Sequence, residues 1–124
     1  MANRRLARVS RSIRDILAEL LVTQVRDPGI QSGGVVTIRE VEVSADLSHA
    51  KVWLSATQDG AEQRRLVLAG FERASRFMRG ELGHRLRLKR TPELHFLFDD
   101  TEARAWRIEA LLADLNPGQD DEDS

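Results

Sequence analysis

The chain has 124 residues, of which 41% are hydrophobic and 31% are charged, and its formal net charge is -1. This composition predicts a single ordinary globular domain. The absence of Cys excludes disulfides, thiolate metal sites and cysteine nucleophiles. No apolar run approaches the ~20 residues of a membrane helix, and the basic N-terminus lacks the apolar core of a signal peptide, so we expect a cytoplasmic protein.

The first predicted element is an amphipathic helix from about residue 7 to residue 24. Its apolar residues recur at spacings of three and four, which is the pattern of a helix with one buried face. The residues of that face are Leu6, Val9, Ile13, Ile16, Leu17 and Leu20. Arg4, Arg8 and Arg11 fall on the opposite face. Pro28 and Gly29 then end the helix and turn the chain.

A β-hairpin is predicted next, over residues 33–56. The apolar residues change parity at Arg39 and Glu40, which predicts a β-bulge there. Residues 44–49 predict a tight reversal, in which Ser44 and Asp46 bond to nearby backbone groups. Residues 50–56 alternate as a second strand, so the two strands should pair in antiparallel fashion.

Residues 61 to about 89 have a helical pattern throughout. They include the tetrapeptide Gly80–Gly83, which matches the G-x-x-G loop with which KH domains clamp nucleic acid. A loop there would leave too short a helix before Pro92. A break near Ala74 and Ser75 instead leaves a second helix of about 14 residues, a normal length. We therefore predict that the tetrapeptide lies inside this second helix and is not a clamp.

A third strand and a last helix complete the predicted fold. Pro92 opens the strand, and alternate apolar side chains from Leu94 to Phe98 should point inward. Thr101 can cap a helix over residues 102–115, and residues 117–124 should form a disordered acidic tail. The predicted class is α+β, with helices on a small sheet, in one domain over residues 1–116.

Two basic regions are the strongest functional signal. Residues 1–14 hold five Arg and no acid, and residues 73–90 hold seven Arg and Lys with one Glu. Guanidinium groups suit bidentate phosphate contacts, and the two glycines would let a sugar–phosphate backbone approach the helix. The alternative is a solvated charged face. The predicted RNA-binding residues are Arg4, Arg8, Arg11, Arg73, Arg76, Arg79, Arg87 and Arg90, with Arg85 and Lys89 as further candidates.

No catalytic, cofactor or metal site is predicted. His49, His84 and His95 have no metal-binding spacing and are expected to be separate surface residues. Asp99 and Asp100 lie between a strand and a helix, so we expect them to cap that helix.

Three stretches resemble the ribosome-binding factor A family of bacterial small-subunit assembly factors. They are "RVSRSIRDILAELLVTQVRDP", "VEVSADLSHAKVWLS" and "ASRFMRGELGHRLRLKRTPELHFLFDD". The resemblance covers about residues 6–100. It implies a type II KH-like domain, ordered helix–strand–strand–helix–kink–helix–strand, with an additional C-terminal helix. The family's kink lies at an Ala-x-Gly sequence, and here Ala74, Ser75 and Arg76 match only its Ala.

The resemblance also implies a function without catalysis or cofactor. The protein would bind free immature 30S subunits and 16S rRNA near the 5′-terminal helix and neck. It would promote late maturation and 16S rRNA processing, with a role in cold growth, and would be monomeric off the ribosome. One alternative is a protein-interaction adaptor that uses the sheet face of Trp53 and Leu97 together with the C-terminal helix. A small ribonuclease is a further alternative, for which the sequence offers no catalytic set.

Overall fold

The computed structural model describes residues 3–100, which form a three-stranded sheet with helices packed on one face. The α+β class is therefore confirmed. In chain order the elements are α1 (Asn3–Thr23), α2 (Pro28–Gln31), β1 (Val36–Val43), β2 (His49–Ala56), α3 (Ala61–Leu86) and β3 (Glu93–Phe98). None of the helices within this part of the chain is long and apolar enough to cross a membrane.

The sheet has the order β1-β2-β3, so β1 and β3 are its two edges. β1 and β2 pair in antiparallel fashion, and their register shifts between Ile38 and Glu40. The predicted hairpin and bulge are thus confirmed. β2 and β3 pair in parallel, because the long helix α3 carries the chain back across the sheet.

The hairpin turn is held by Asp46. Its carboxylate accepts hydrogen bonds from the hydroxyls of Ser48 and Ser44 at 2.7 and 2.8 Å and from the Ser48 N–H at 3.1 Å. These donors, the Ser48 hydroxyl first, lower the pKa of Asp46 to about 2. The turn places Leu47 in the left-handed region with a φ of 64°. As predicted, short polar side chains replace the backbone bonds that a turn lacks.

One core joins the inner sheet face to α1 and α3. Ile13, Leu17 and Leu20 from α1 and Val67, Phe71, Met78 and Leu82 from α3 are fully buried. The ring centroids of Phe71 and Phe96 lie 4.9 Å apart, so α3 packs directly on β3. Leu94 and Phe96 are buried as predicted, whereas Phe98 is half-buried.

A short helix, α2, occupies the segment predicted only as a turn. Asp27 is its N-cap and accepts bonds from the backbone N–H groups of Gly29 and Ile30 at 2.8 and 3.3 Å. Two glycines let α2 lie directly against α3. A Cβ at Gly29 would meet the Leu66 carbonyl oxygen at 2.5 Å, and one at Gly70 would meet Asp27 Oδ1 at 2.6 Å.

α3 is one uninterrupted helix from Ala61 to Leu86. The prediction that the tetrapeptide at residues 80–83 is helical is confirmed, but the division into two helices at Ala74 and Ser75 is wrong. Arg76, standing where the family has Gly, is a good helix former, so nothing in that triplet interrupts the hydrogen bonding. The kink that the resemblance implies at Ala74 and Ser75 stays a prediction. In an unbroken helix it would be a bend in the helix axis.

α3 also ends earlier than the predicted boundary near residue 89. Arg87 is its C-cap in the left-handed conformation, with a φ of 53°, and its N–H donates to the Gly83 carbonyl. Arg87 and Arg90 therefore belong to the connection to β3 and not to a helical face. The predicted C-terminal helix at 102–115, the acidic tail at 117–124 and the domain boundary at 116 lie outside the described residues.

Candidate nucleic-acid interface

The α3 groove is an open recess along the solvent side of α3. Its floor and walls come from α3 and from the segment that leads into β3. Eight residues line it: Glu72, Ser75, Arg76, Arg79, Gly80, Gly83, His84 and Thr91. The groove therefore collects part of the second basic region around the two glycines.

The two glycines of the α3 groove have different roles. A Cβ placed at Gly80 meets no atom of residues 3–100 within 4 Å, so this position is a low, exposed point on the surface of the described helix. A Cβ at Gly83 would lie 2.9 Å from the Thr91 side chain. Gly83 thus lets the connection to β3 pack on the helix, and only Gly80 keeps the predicted role of admitting a backbone from outside.

Arg79 is engaged by the fold. Its guanidinium donates to the carbonyl oxygens of Thr91 and Pro92, each at 3.1 Å, and is part-buried. Because hydrogen bonds from a charged donor are strong, this residue fixes the connection between α3 and β3. Its role as a phosphate ligand stays a prediction, and the two bonds also make Arg79 a positioning residue beside the groove.

Arg73 is engaged in a similar way. It holds both carboxylate oxygens of Asp27, with nitrogen–oxygen distances of 2.8 and 3.0 Å. The Arg73 hydrogen bond is the largest cause that lowers the pKa of Asp27, and the same bond raises the pKa of Arg73. The pair joins the N-cap of α2 to α3, and the Asp27 carboxylate has little contact with water, since its side chain is only 14% exposed. Arg73 is thus a poor candidate for releasing its carboxylate to bind phosphate.

Arg85 is paired too, with Glu19 on α1 at 3.1 Å and with Glu81 on α3 at 3.3 Å. In contrast, three predicted cations of this region are exposed and form no ion pair or hydrogen bond within residues 3–100. They are Arg76 on α3 and Arg87 and Arg90 on the connection to β3. Lys89, between the last two, is also exposed. These side chains can reach an anionic partner without breaking a contact of the fold.

The basic side chains of α1 are exposed at the start of that helix. Arg4, Arg8 and Arg11 make no ion pair with any residue between 3 and 100. The first turn of α1 contains no acid. The first turn of a helix carries the positive end of the helix dipole, so Arg4 costs stability there, and Arg8 and Arg11 in the following turns add to the positive potential. This arrangement favours an anionic ligand at that end of α1.

The exposed arginines of α1 and the cations around the α3 groove form two basic groups that do not share one recess. Arg11 lines a second recess with residues 40–43 of β1, whereas Arg79 contacts the segment immediately before β3. Because β1 and β3 are opposite edges of the sheet, the groups lean toward opposite sides of the helix layer. The paired Arg85 and Glu19 lie at the seam between the helices. An RNA that contacts both groups has to span this layer.

Phe77 is a candidate that the sequence analysis missed. Its ring is 43% exposed and lies on α3 directly after Arg76. An exposed aromatic ring can stack on a nucleotide base, and adjacent Arg side chains often accompany such stacking. The sequence could have indicated this exposure, because on a helical projection Phe77 falls off the face formed by the buried Val67, Phe71, Met78 and Leu82.

The histidine prediction is partly wrong. His84 is exposed in the α3 groove, but His49 Nδ1 and His95 Nε2 lie 2.9 Å apart on the outer face of the sheet. The parallel pairing of β2 and β3 brings together residues that are 46 positions apart in the chain. No local spacing motif could indicate this contact.

The residues of the adaptor alternative also lie on the outer sheet face. Trp53 and Leu97 are register partners on β2 and β3, and the Trp53 indole donates to Glu42 at 3.2 Å. Leu97 is 36% exposed and Trp53 is half-buried. The helix that this alternative also requires lies outside the described residues, so the adaptor stays a prediction.

The predicted capping aspartates carry ion pairs between elements. Asp99 pairs with Arg39 at 3.4 Å, and Asp100 accepts two bonds from Arg64 at 2.6 and 3.0 Å. The Asp100 bond is the largest cause that raises the pKa of Arg64. The helix that these residues were expected to cap lies outside the described residues, so the capping role stays a prediction.

Comparison with known proteins gives one consistent result. The family model described as ribosome-binding factor A matches residues 5–112. A ribosome-binding factor A from Thioalkalivibrio sulfidiphilus is 44% identical over 109 residues, which are 87% of this chain and 81% of that protein.

Solved structures agree. The crystal structure of ribosome-binding factor A from Thermus thermophilus matches with a TM-score of 0.64 and 27% identity, covering 75% of this chain and 93% of that one. Coordinates of the Thermus thermophilus factor fitted into a cryo-EM map of its complex with the 30S subunit match with a TM-score of 0.61 and 26% identity. That match covers 77% of this chain and 97% of the other.

Proposed function

The chain belongs to the ribosome-binding factor A family, and from this premise we propose that it binds free, immature 30S subunits. It contacts 16S rRNA near the 5′-terminal helix and neck, and it promotes late maturation and 16S rRNA processing without cleaving RNA itself. The observation that carries this proposal is the set of exposed cations beside Gly80 that form no ion pair within residues 3–100.

The α3 groove supplies the main contact. Arg76 can approach a phosphate directly, and the missing side chain at Gly80, one helical turn further on, lets the sugar–phosphate backbone lie close to the helix. Arg87 and Arg90 extend the contact toward β3. Phe77 offers a ring for a splayed base. Arg79 and Gly83 act through the fold, by fixing the wall of the groove.

The N-terminal end of α1 supplies a second contact. Arg4 lies there at the positive end of the helix dipole, and Arg8 and Arg11 follow on the next turns, all three exposed. Since the two basic groups lean toward opposite sides of the helix layer, they suit a folded RNA better than one straight strand. RNA shape therefore determines where the protein binds more than base sequence does.

The observed order of elements supports a type II KH-like domain, which we include in the proposal. Helix, two strands, helix and strand follow one another in the order of such a domain, with α2 inserted after α1 and the single helix α3 in place of two helices joined at a kink. The α3 helix continues through residues 80–83, so binding cannot use the usual clamp loop. The protein acts in the cytoplasm, where subunits mature, and it is monomeric off the ribosome.

Sedimentation with ribosomal particles tests the proposal. We expect the purified protein to migrate with free 30S subunits in a sucrose gradient, and to bind immature subunits more strongly than mature ones. It should not migrate with 50S subunits at the same salt concentration. Because the contact is electrostatic, raising the salt should release it.

The 50S particle is a control for non-specific attraction to rRNA. Equal migration with both particles would show that the cations bind any rRNA surface and would contradict the proposed specificity. Migration with 30S subunits that persists at high salt would favour a protein contact, which is the adaptor alternative.

A further inference from the structure

A cluster of three side chains lies on the outer face of the sheet, away from the basic surface of α3. It consists of His49 at the start of β2 and Glu93 and His95 at the start of β3. Their potential ligand atoms all lie within 4.8 Å of one another, and the three side chains are exposed. The proposed RNA contact uses none of them.

The spacing of these atoms suits a tetrahedral metal. His49 Nδ1 lies 2.9 Å from His95 Nε2 and 3.6 Å from Glu93 Oε1. Bonds of about 2.0–2.1 Å at tetrahedral angles separate neighbouring ligand atoms by about 3.3 Å. Small rotations of the three exposed side chains would bring them to that separation. Two imidazole nitrogens and one carboxylate oxygen are common ligands of Zn²⁺.

The backbone under the cluster is fixed. The His49 N–H donates to Ser44 Oγ at 3.0 Å, and the His49 carbonyl accepts from the Ser44 N–H at 2.8 Å. The Glu93 N–H donates to the Ser48 carbonyl at 2.9 Å. His49 and Glu93 are also register partners across β2 and β3. The three ligands therefore sit on strands whose relative position is already set, which favours metal binding.

The geometry points to a binding site for one divalent transition-metal ion, held by His49, Glu93 and His95 with water at the remaining position. Of the divalent ions that bind imidazole and carboxylate, Zn²⁺ and Co²⁺ suit such a four-coordinate site, whereas Ni²⁺ and Cu²⁺ prefer square-planar or tetragonal geometry. A bound ion would join the beginnings of β2 and β3 and stabilise their parallel pairing. This inference does not depend on the proposed ribosomal function.

Cobalt provides the test, because four-coordinate and six-coordinate Co²⁺ have different visible spectra. We expect the full-length protein, without a histidine tag, to bind one Co²⁺ with the intense absorption of a four-coordinate site. Zn²⁺ should displace it. Removing a ligand should weaken binding by at least roughly tenfold, since even losing an outer partner of a ligand costs about 10- to 100-fold.

Two variants and a control make the assignment specific. His49→Ala and His95→Ala should each lose the Co²⁺ spectrum, and because both side chains are exposed, the fold should be retained. His84→Ala removes an exposed imidazole in the α3 groove and should leave the spectrum unchanged. A six-coordinate spectrum, or equal Co²⁺ affinity in the unchanged protein and all three variants, would overturn the inference.

Discussion

Gly70→Ala is expected to destabilise the protein by about 1–2 kcal/mol, although alanine is the better helix former. The added Cβ would lie 2.7 Å from Ile30 Cγ1, 2.6 Å from Asp27 Oδ1 and 3.0 Å from the Ile30 backbone nitrogen. Overpacking of this kind costs about 1–3 kcal/mol. The helical preference of alanine offsets at most about 1 kcal/mol of that cost.

The cost is expected to be large because the neighbours of Gly70 cannot simply rotate away. Asp27 holds the N-terminus of α2 and the guanidinium of Arg73, and Ile30 is 5% exposed in the core. The new methyl group must therefore move α2 as a unit or break the N-cap, which alone is worth about 0.5–2 kcal/mol. The free energy of unfolding, measured in urea, reports this change.

Gly80→Ala is the matched control in the same helix. No atom of residues 3–100 lies within 4 Å of the added Cβ, so helix propensity is the term that changes, and we expect stabilisation by about 0.5–1 kcal/mol. The two substitutions should thus have opposite signs. Equal effects would show that α2 does not pack against α3 as described.

Removing Arg76 and Arg90 together is expected to weaken 30S binding by roughly 25- to 60-fold at 0.1 M salt. Each phosphate contact to single-stranded or duplex nucleic acid adds about 0.7–0.9 to the slope of log affinity against log salt. One lost contact therefore costs roughly 5- to 8-fold at 0.1 M relative to 1 M. Gln is a suitable replacement because it removes the charge and tolerates a helix.

The fold should survive this double substitution. Neither side chain forms an ion pair or hydrogen bond with another residue in the range 3–100, and both are exposed. Arg73 and Arg79 are unsuitable for the same experiment, because their loss would disturb α2 or the connection to β3. Titrations of 30S subunits at several salt concentrations give both the affinity and the slope.

Lys51→Gln is the control for loss of charge alone. Lys51 is exposed on β2, beside outward-facing Trp53 and away from the helices. Its removal should leave the salt slope unchanged. If Lys51→Gln lowered the salt slope as much, per charge removed, as the substitutions at Arg76 and Arg90, binding would depend on net charge and not on the surface of α3.

The hairpin and the core could be predicted because their signals are local. The parity switch at Arg39 and Glu40 follows from alternation along one strand, and the inward positions of β3 follow from the same period. The helical state of residues 80–83 followed from the length of helix that a loop there would leave before Pro92. Each of these features could be inferred from the residues of one strand or one helix alone.

The partners of individual side chains could not be predicted in this way. Arg73, Arg76 and Arg79 all fall on the solvent side of a helical projection. Yet the first binds Asp27 and the third binds two carbonyl oxygens, whereas Arg76 has no such partner among residues 3–100. That difference depends on where α2 and the connection to β3 lie. The contact between His49 and His95 likewise depends on strand pairing.

We propose that rRNA lies against α3 at Gly80, and a site-directed crosslink from that position would detect the contact itself. Because the chain contains no Cys, a single introduced Cys can carry a photocrosslinker without competing thiols. With Gly80→Cys bound to 30S subunits, we predict crosslinks to 16S rRNA near the 5′-terminal helix and neck. With Lys51→Cys on the outer sheet face, we predict none to that region. Crosslinks from position 51 but not from position 80 would contradict the account.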